Sequence, residues 1–96
     1  MSIVETQTFR LAPGADVTDF LASDKRVQTE LVPNRPGFVR RTTAHRGEAW
    51  LVVTLWGSED AAAAFEEVAD GHPVQTEFLS HLEPDSISVH RYETLD

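Results

Sequence analysis

The chain has 96 residues, enough for one domain at the small end of the usual range. It is 41% apolar and 25% charged, ordinary values for a globular domain and unlike those of a disordered segment. Sixteen acidic residues against eight basic ones give a formal net charge of −8, which opposes binding to a nucleic-acid backbone. There is no cysteine, which excludes a disulfide framework, a thiolate metal site and a Cys nucleophile.

No apolar run approaches the roughly 20 residues that a membrane helix needs. Met1-Ser2-Ile3-Val4-Glu5 lacks the basic and long apolar regions of a secretory signal. The expected setting is the cytoplasm, with no membrane or nucleic-acid partner. Arg35, Arg40, Arg41 and Arg46 cluster mildly and read as a solvated strand face.

The elements follow in chain order. Ile3 to Leu11 reads as a strand, with Ile3, Glu5, Gln7, Phe9 and Leu11 on one face. Pro13-Gly14 ends it. Asp16 suits a helix N-cap, and Val17, Phe20, Leu21, Val27 and Leu31 recur at helical spacing. Asp24 interrupts that stripe, and Pro33 and Pro36 stop the helix. Phe38 to His45 and Glu48 to Trp56 read as two strands joined at Arg46-Gly47, a β-hairpin. Ser58 is a good N-cap for a helix with Ala61, Ala64, Phe65 and Val68 as its apolar face and Gly71 at its end. A short helical piece restarts after His72-Pro73, carrying Val74, Phe78 and Leu82, and Pro84 ends it. Ser86 to Tyr92 is the last strand.

This order, βαββαβ, predicts an α+β, ferredoxin-like single domain over residues 1–96. A four-stranded antiparallel sheet carries its helices on one face. The third strand is apolar on both sides: Trp50, Val52 and Trp56 alternate with Leu51, Val53 and Leu55. Such a strand should be buried on both sides. The helices can cover one side only, so a second copy of the chain is expected against the other, making a homodimer.

The stretch from Trp50 to Ala61, a strand ending in Trp followed by Gly57-Ser58-Glu59-Asp60, resembles the antibiotic biosynthesis monooxygenase family. Pro36-Gly37-Phe38, His72-Pro73, Phe78 and the strand to Tyr92 also fit, so the resemblance spans the chain. It implies a dimeric α+β barrel with a small-molecule pocket between each sheet and its helices. Members of that family differ: some oxygenate aromatic intermediates without metal or flavin, some degrade haem, and others isomerise or process small metabolites.

The resemblance implies a site with Gln7 and Trp56 positioning an aromatic or apolar substrate and His72 as base. Phe65 and Phe78 would form its wall, and Glu5 would be a second polar group beside Gln7. Each has a plainer reading. Gln7 and Glu5 can satisfy local hydrogen bonds, Trp56 can be core, and His72 can bond a free helix-end carbonyl. His72, His81 and His90 are nine residues apart, which is not a metal-ligand spacing, so no metal is expected. The haem-degrading members' Asn, Trp and His fall on Gln7, Phe65 and near Gln75, which argues against haem chemistry. The expected activity is a cofactor-independent monooxygenase. The alternatives are an isomerase or degrading enzyme on the same scaffold, and a non-catalytic ligand-binding dimer.

Overall fold

The computed structural model describes residues 1–96. Strands β1 (Ile3–Phe9), β2 (Phe38–Arg46), β3 (Ala49–Trp56) and β4 (Ser88–Glu93) combine with helices α1 (Val17–Arg26), α2 (Glu59–Ala69) and α3 (Pro73–Ser80) in the order β1-α1-β2-β3-α2-α3-β4. The sheet order is β2-β3-β1-β4, with every neighbouring pair antiparallel. This is the ferredoxin-like α+β arrangement that the alternation of patterns predicts.

Register decides which residues meet the helices. Ile3, Glu5, Gln7 and Phe9 of β1 pair with Trp56, Thr54, Val52 and Trp50 of β3. Successive side chains of a strand point to opposite faces, so these eight share one face. The main core forms there, where Phe9, Trp50 and Val52 pack with Phe20 of α1, with Val27 just after it, and with Ala69, Val74 and Phe78 of α2 and α3. Phe20 is fully buried and meets Phe9, Trp50 and Phe78 at ring-centroid distances of 5.8, 4.9 and 5.5 Å. A smaller cluster of Ile3, Trp56 and Ala62 closes the other end.

The opposite face carries Val4, Thr6 and Thr8 of β1 and Leu51, Val53 and Leu55 of β3. Arg40, Thr42 and Ala44 of β2 and Ser88, His90 and Tyr92 of β4 complete it. Leu51, Val53 and Leu55 are only half-buried, and Tyr92 is exposed.

Local chemistry sets the helix boundaries. Asp16 Oδ1 accepts from the Asp19 amide at 3.1 Å, and Ser58 Oγ accepts from the Ala61 amide at 3.1 Å, so both expected N-caps form. Gly71 takes φ +76° between α2 and α3. Gly37 takes φ +78°, and a Cβ there would collide with the Ala61 side chain. Gly37→Ala therefore combines left-handed strain with a steric clash. It should destabilise the fold by about 2–3 kcal/mol, read from the midpoint of a urea melt. A variant within 0.5 kcal/mol of wild type would show that the Gly37–Ala61 approach relaxes freely.

The structure corrects several boundaries. β1 ends at Phe9, and Leu11 makes only an isolated bridge with Leu82. The first helix leaves α geometry after Arg26 and closes with a π-helical turn over Val27–Leu31, where the Val32 amide donates to the Val27 carbonyl at 3.1 Å. That wider turn accompanies the burial of Val27, Leu31 and Val32 together. On α2 the buried residues are Ala62 and Ala69, with Ala61 and Phe65 partly buried. Ala64 and Val68 face solvent, because small residues at 62 and 69 let the helix settle on the sheet by that side. Pro84–Ser86 forms a 3-10 turn, so β4 starts at Ser88.

The arginine cluster also disperses. Arg41 is not solvated: its side chain is 5% exposed and its Nη2 lies 2.8 Å from Asp24 Oδ1. The Asp24 that interrupts the apolar stripe is thus the counterion of a buried guanidinium.

Candidate functional site

A cavity of about 940 Å³ opens between the β1–β4 side of the sheet and helices α2 and α3. Its lining includes Glu5 and Gln7 of β1, Val89 and Arg91 of β4, Phe65 of α2 and Gln75 of α3. The antiparallel register explains the floor, since Gln7 pairs with Val89 and Glu5 with Arg91. Leu79 and Val89, 39% and 52% exposed, leave apolar surface facing this space. The walls are therefore mixed, with carboxamides and a hydroxyl (Gln7, Gln75, Thr76) set among apolar side chains.

Arg91 organises the rim. Its Nε donates to Glu5 Oε2 at 2.8 Å and its Nη2 to Glu66 Oε2 at 2.6 Å, while Nη1 lies 3.7 Å from Glu59. One guanidinium thus ties β4 to the floor strand and to α2. The hydrogen bond to Glu5 is the main cause holding the Arg91 pKa above its ordinary value, against the opposing effect of burial. Glu5, Glu66, Glu67 and Asp70 all line the cavity against this single cation, so an anionic ligand is disfavoured there.

The structure brings Glu5, Gln7 and Phe65 to this cavity. Gln75, a position the haem comparison touched, joins them. The other three site residues stand elsewhere. Trp56 is 1% exposed, packs on Phe65 at 4.9 Å and lies behind that wall, its indole N–H without a partner. Phe78 is in the main core, with the Arg41 guanidinium 5.6 Å from its ring centroid. His72 is the N-cap of α3: its Nδ1 accepts from the Val74 amide at 3.2 Å. An amide can only donate, so the lone pair that a base would use is already engaged, and Nε2 carries the ring hydrogen in the neutral form. His72 does not line the cavity.

Arg91 and Val89 escaped the sequence reading because their role depends on β4 lying beside β1, a pairing between residues 86 positions apart. The only available signal was charge complementarity between Glu5 and Arg91. No group of three or more His, Cys, Asp or Glu side chains is placed to hold a metal ion, and no helix is long and apolar enough to cross a membrane.

Comparison with solved structures defines the class by its fold. The chain superposes on a cofactor-independent oxygenase from Streptomyces nogalater, SnoaB, with a TM-score of 0.81 at 14% identity, covering 99% of this chain and 94% of that one. A putative antibiotic biosynthesis monooxygenase from Bordetella bronchiseptica gives 0.79 at 16% identity, covering 98% and 97%. Another from Caulobacter crescentus gives 0.74 at 14%, covering 99% and 91%. The protein thus has the fold of structures named antibiotic biosynthesis monooxygenases, over nearly its whole length. No family model matches the sequence, and no curated protein matches it.

Proposed function

We propose that this protein is a cofactor-independent monooxygenase acting on a small, uncharged aromatic metabolite held in the cavity between the sheet and helices α2 and α3. The observation that carries this reading is the cavity itself, about 940 Å³, whose mixed walls set Phe65, Leu79 and Val89 beside the polar side chains of Glu5, Gln7 and Gln75. The fold shared with an oxygenase described as cofactor-independent supports the reaction class.

In this reading the ring lies against Phe65, which is backed by Trp56. A phenolic hydroxyl donates to the Glu5 carboxylate, raising electron density on the ring. The Gln7 amide donates to the oxygen that becomes a carbonyl. The ring combines with dioxygen to give a hydroperoxide, which loses water to give a quinone. One oxygen atom enters the substrate, and the other leaves as water with the phenolic and ring hydrogens. His72 holds the start of α3 in place and Phe78 supports the core.

Dissolved-oxygen consumption with a panel of phenols and hydroquinones, chelator present, tests the proposal. Uptake should persist with the chelator and fall about 100-fold in Gln7→Ala at an unchanged melting temperature. A folded protein that binds these phenols saturably but consumes no oxygen would replace the oxygenase with a ligand-binding protein. The engagement of His72 in the α3 cap favours that second reading, since it leaves the cavity without an imidazole base.

The working unit in this reading is a homodimer, formed through the sheet face that carries Leu51, Val53 and Leu55. The chain has 16 acidic residues, and none of the strand residues on that face is acidic. The strand pattern thus keeps carboxylates away from the one face that a second copy would have to desolvate.

A further inference from the structure

A second cavity, about 720 Å³, shares no lining residue with the first. It lies between the loop after β1, the outer face of α1 and the β2–β3 hairpin. Pro13 and two α1 side chains, Val17 and Leu21, form its apolar wall. Val17 and Leu21 are 50% and 46% exposed, so each leaves much of its apolar surface uncovered. His45 and Trp50 form the facing wall.

His45 is held in a defined way. Its ring stacks on Trp50 with centroids 4.7 Å apart and planes 28° apart. Its Nδ1 lies 3.3 Å from the Gly47 carbonyl oxygen. A carbonyl can only accept, so this contact, 3.3 Å long and at the surface, favours the tautomer with the hydrogen on Nδ1 and the lone pair on Nε2. Nothing in the chain donates to that nitrogen. The cavity wall therefore includes an imidazole whose Nε2 has no partner within the chain, beside uncovered apolar surface.

The charges narrow what fits. Asp24 is engaged by Arg41 at 2.8 Å and Glu83 by Arg10 at 3.3 Å. Glu48 is the one lining carboxylate without an ion pair, and no lining cation is left free. An anionic ligand would find no counterion here.

We propose that this second cavity binds a flat, uncharged aromatic molecule bearing a hydroxyl, with its ring against Val17 and Leu21 and its hydroxyl donating to His45 Nε2. The site does not depend on the oxygenase reading, because it uses none of the residues of the first cavity.

Titration of 1-naphthol and 1-methoxynaphthalene into isotope-labelled protein, followed by NMR, tests this. The two probes share the flat apolar body, and only the first can donate. 1-Naphthol should bind about 5- to 10-fold more tightly, as one neutral hydrogen bond provides. The amides of Gly14, Gly47 and Glu48 should shift. His45→Phe keeps an aromatic ring on Trp50 and should equalise the two affinities. Leu21→Glu places a charge on an exposed helical position and should weaken both probes at least about 5-fold by removing apolar contact. Equal binding of the probes by the wild type would overturn the proposal. So would discrimination that survives in His45→Phe, or shifts confined to Gln7, Gly71 and Gln75. Should His45→Phe fail to fold, undiminished binding by Leu21→Glu overturns it.

Discussion

Asp24→Ala is expected to destabilise the protein by about 3–5 kcal/mol, the usual cost of stripping a buried ion of its partner. The Arg41 side chain is 5% exposed and that of Asp24 16%, so little water reaches the guanidinium, although Asp24 borders the second cavity. Asp24 Oδ1 accepts from Arg41 Nη2 at 2.8 Å and from Thr43 Oγ1 at 2.8 Å. After truncation the guanidinium keeps only a long contact, 3.4 Å, with Gln28 Oε1 and its place beside the Phe78 ring. Arginine does not shed its proton to escape. For a domain of this size the melting temperature should fall by roughly 15 °C or more. The double variant Asp24→Leu, Arg41→Met removes both charges and should recover most of the loss. A single variant within 1 kcal/mol of wild type, measured by urea melt, would mean that the pair is solvated and contributes little.

Leu51→Asp is expected to turn the proposed dimer into a monomer with its fold retained. Leu51 lies opposite Thr8 and Ala44 on the uncovered sheet face, whereas its neighbour Trp50 faces the core. Leu51 is only half-buried in one copy, so a carboxylate there can stay hydrated in the monomer. In a two-fold interface the substitution appears twice, and both charges must be desolvated. A penalty of several kcal/mol raises the dissociation constant by about 1,000-fold or more. Sedimentation at micromolar concentration distinguishes the two states. A wild-type monomer, or a variant that remains dimeric, would remove the sheet face from the assembly.

The candidate site shows how far residue patterns reach. Their position beside Ile3 and Phe9 singles out Glu5 and Gln7, and they do line the cavity. Strand alternation suffices for that, because it is a property of consecutive residues. Phe65 came from the resemblance and lies on the same wall. Trp56 sits one layer behind it, and Phe78 sits among core aromatics. An aromatic residue reads alike in sequence whether it walls a cavity or fills a core. His72 is the clearest divergence, because the amide two residues on captures its Nδ1.

The sequence by itself determined the element types, their order and the caps. Asp16 and Ser58 hydrogen-bond amides three residues away, and Gly71 supplies a positive φ locally, so neighbouring residues suffice. It also determined that β3 would be apolar on both sides. Only the tertiary structure decided that Asp24 neutralises Arg41, that Arg91 closes over Glu5, and that His45 stacks on Trp50 beside an open cavity. Asp24–Arg41 and Glu5–Arg91 join residues 17 and 86 apart. His45 and Trp50 meet only through the register of the hairpin. Such partners are set when strands pair and helices settle on the sheet, and local propensity carries no record of either step.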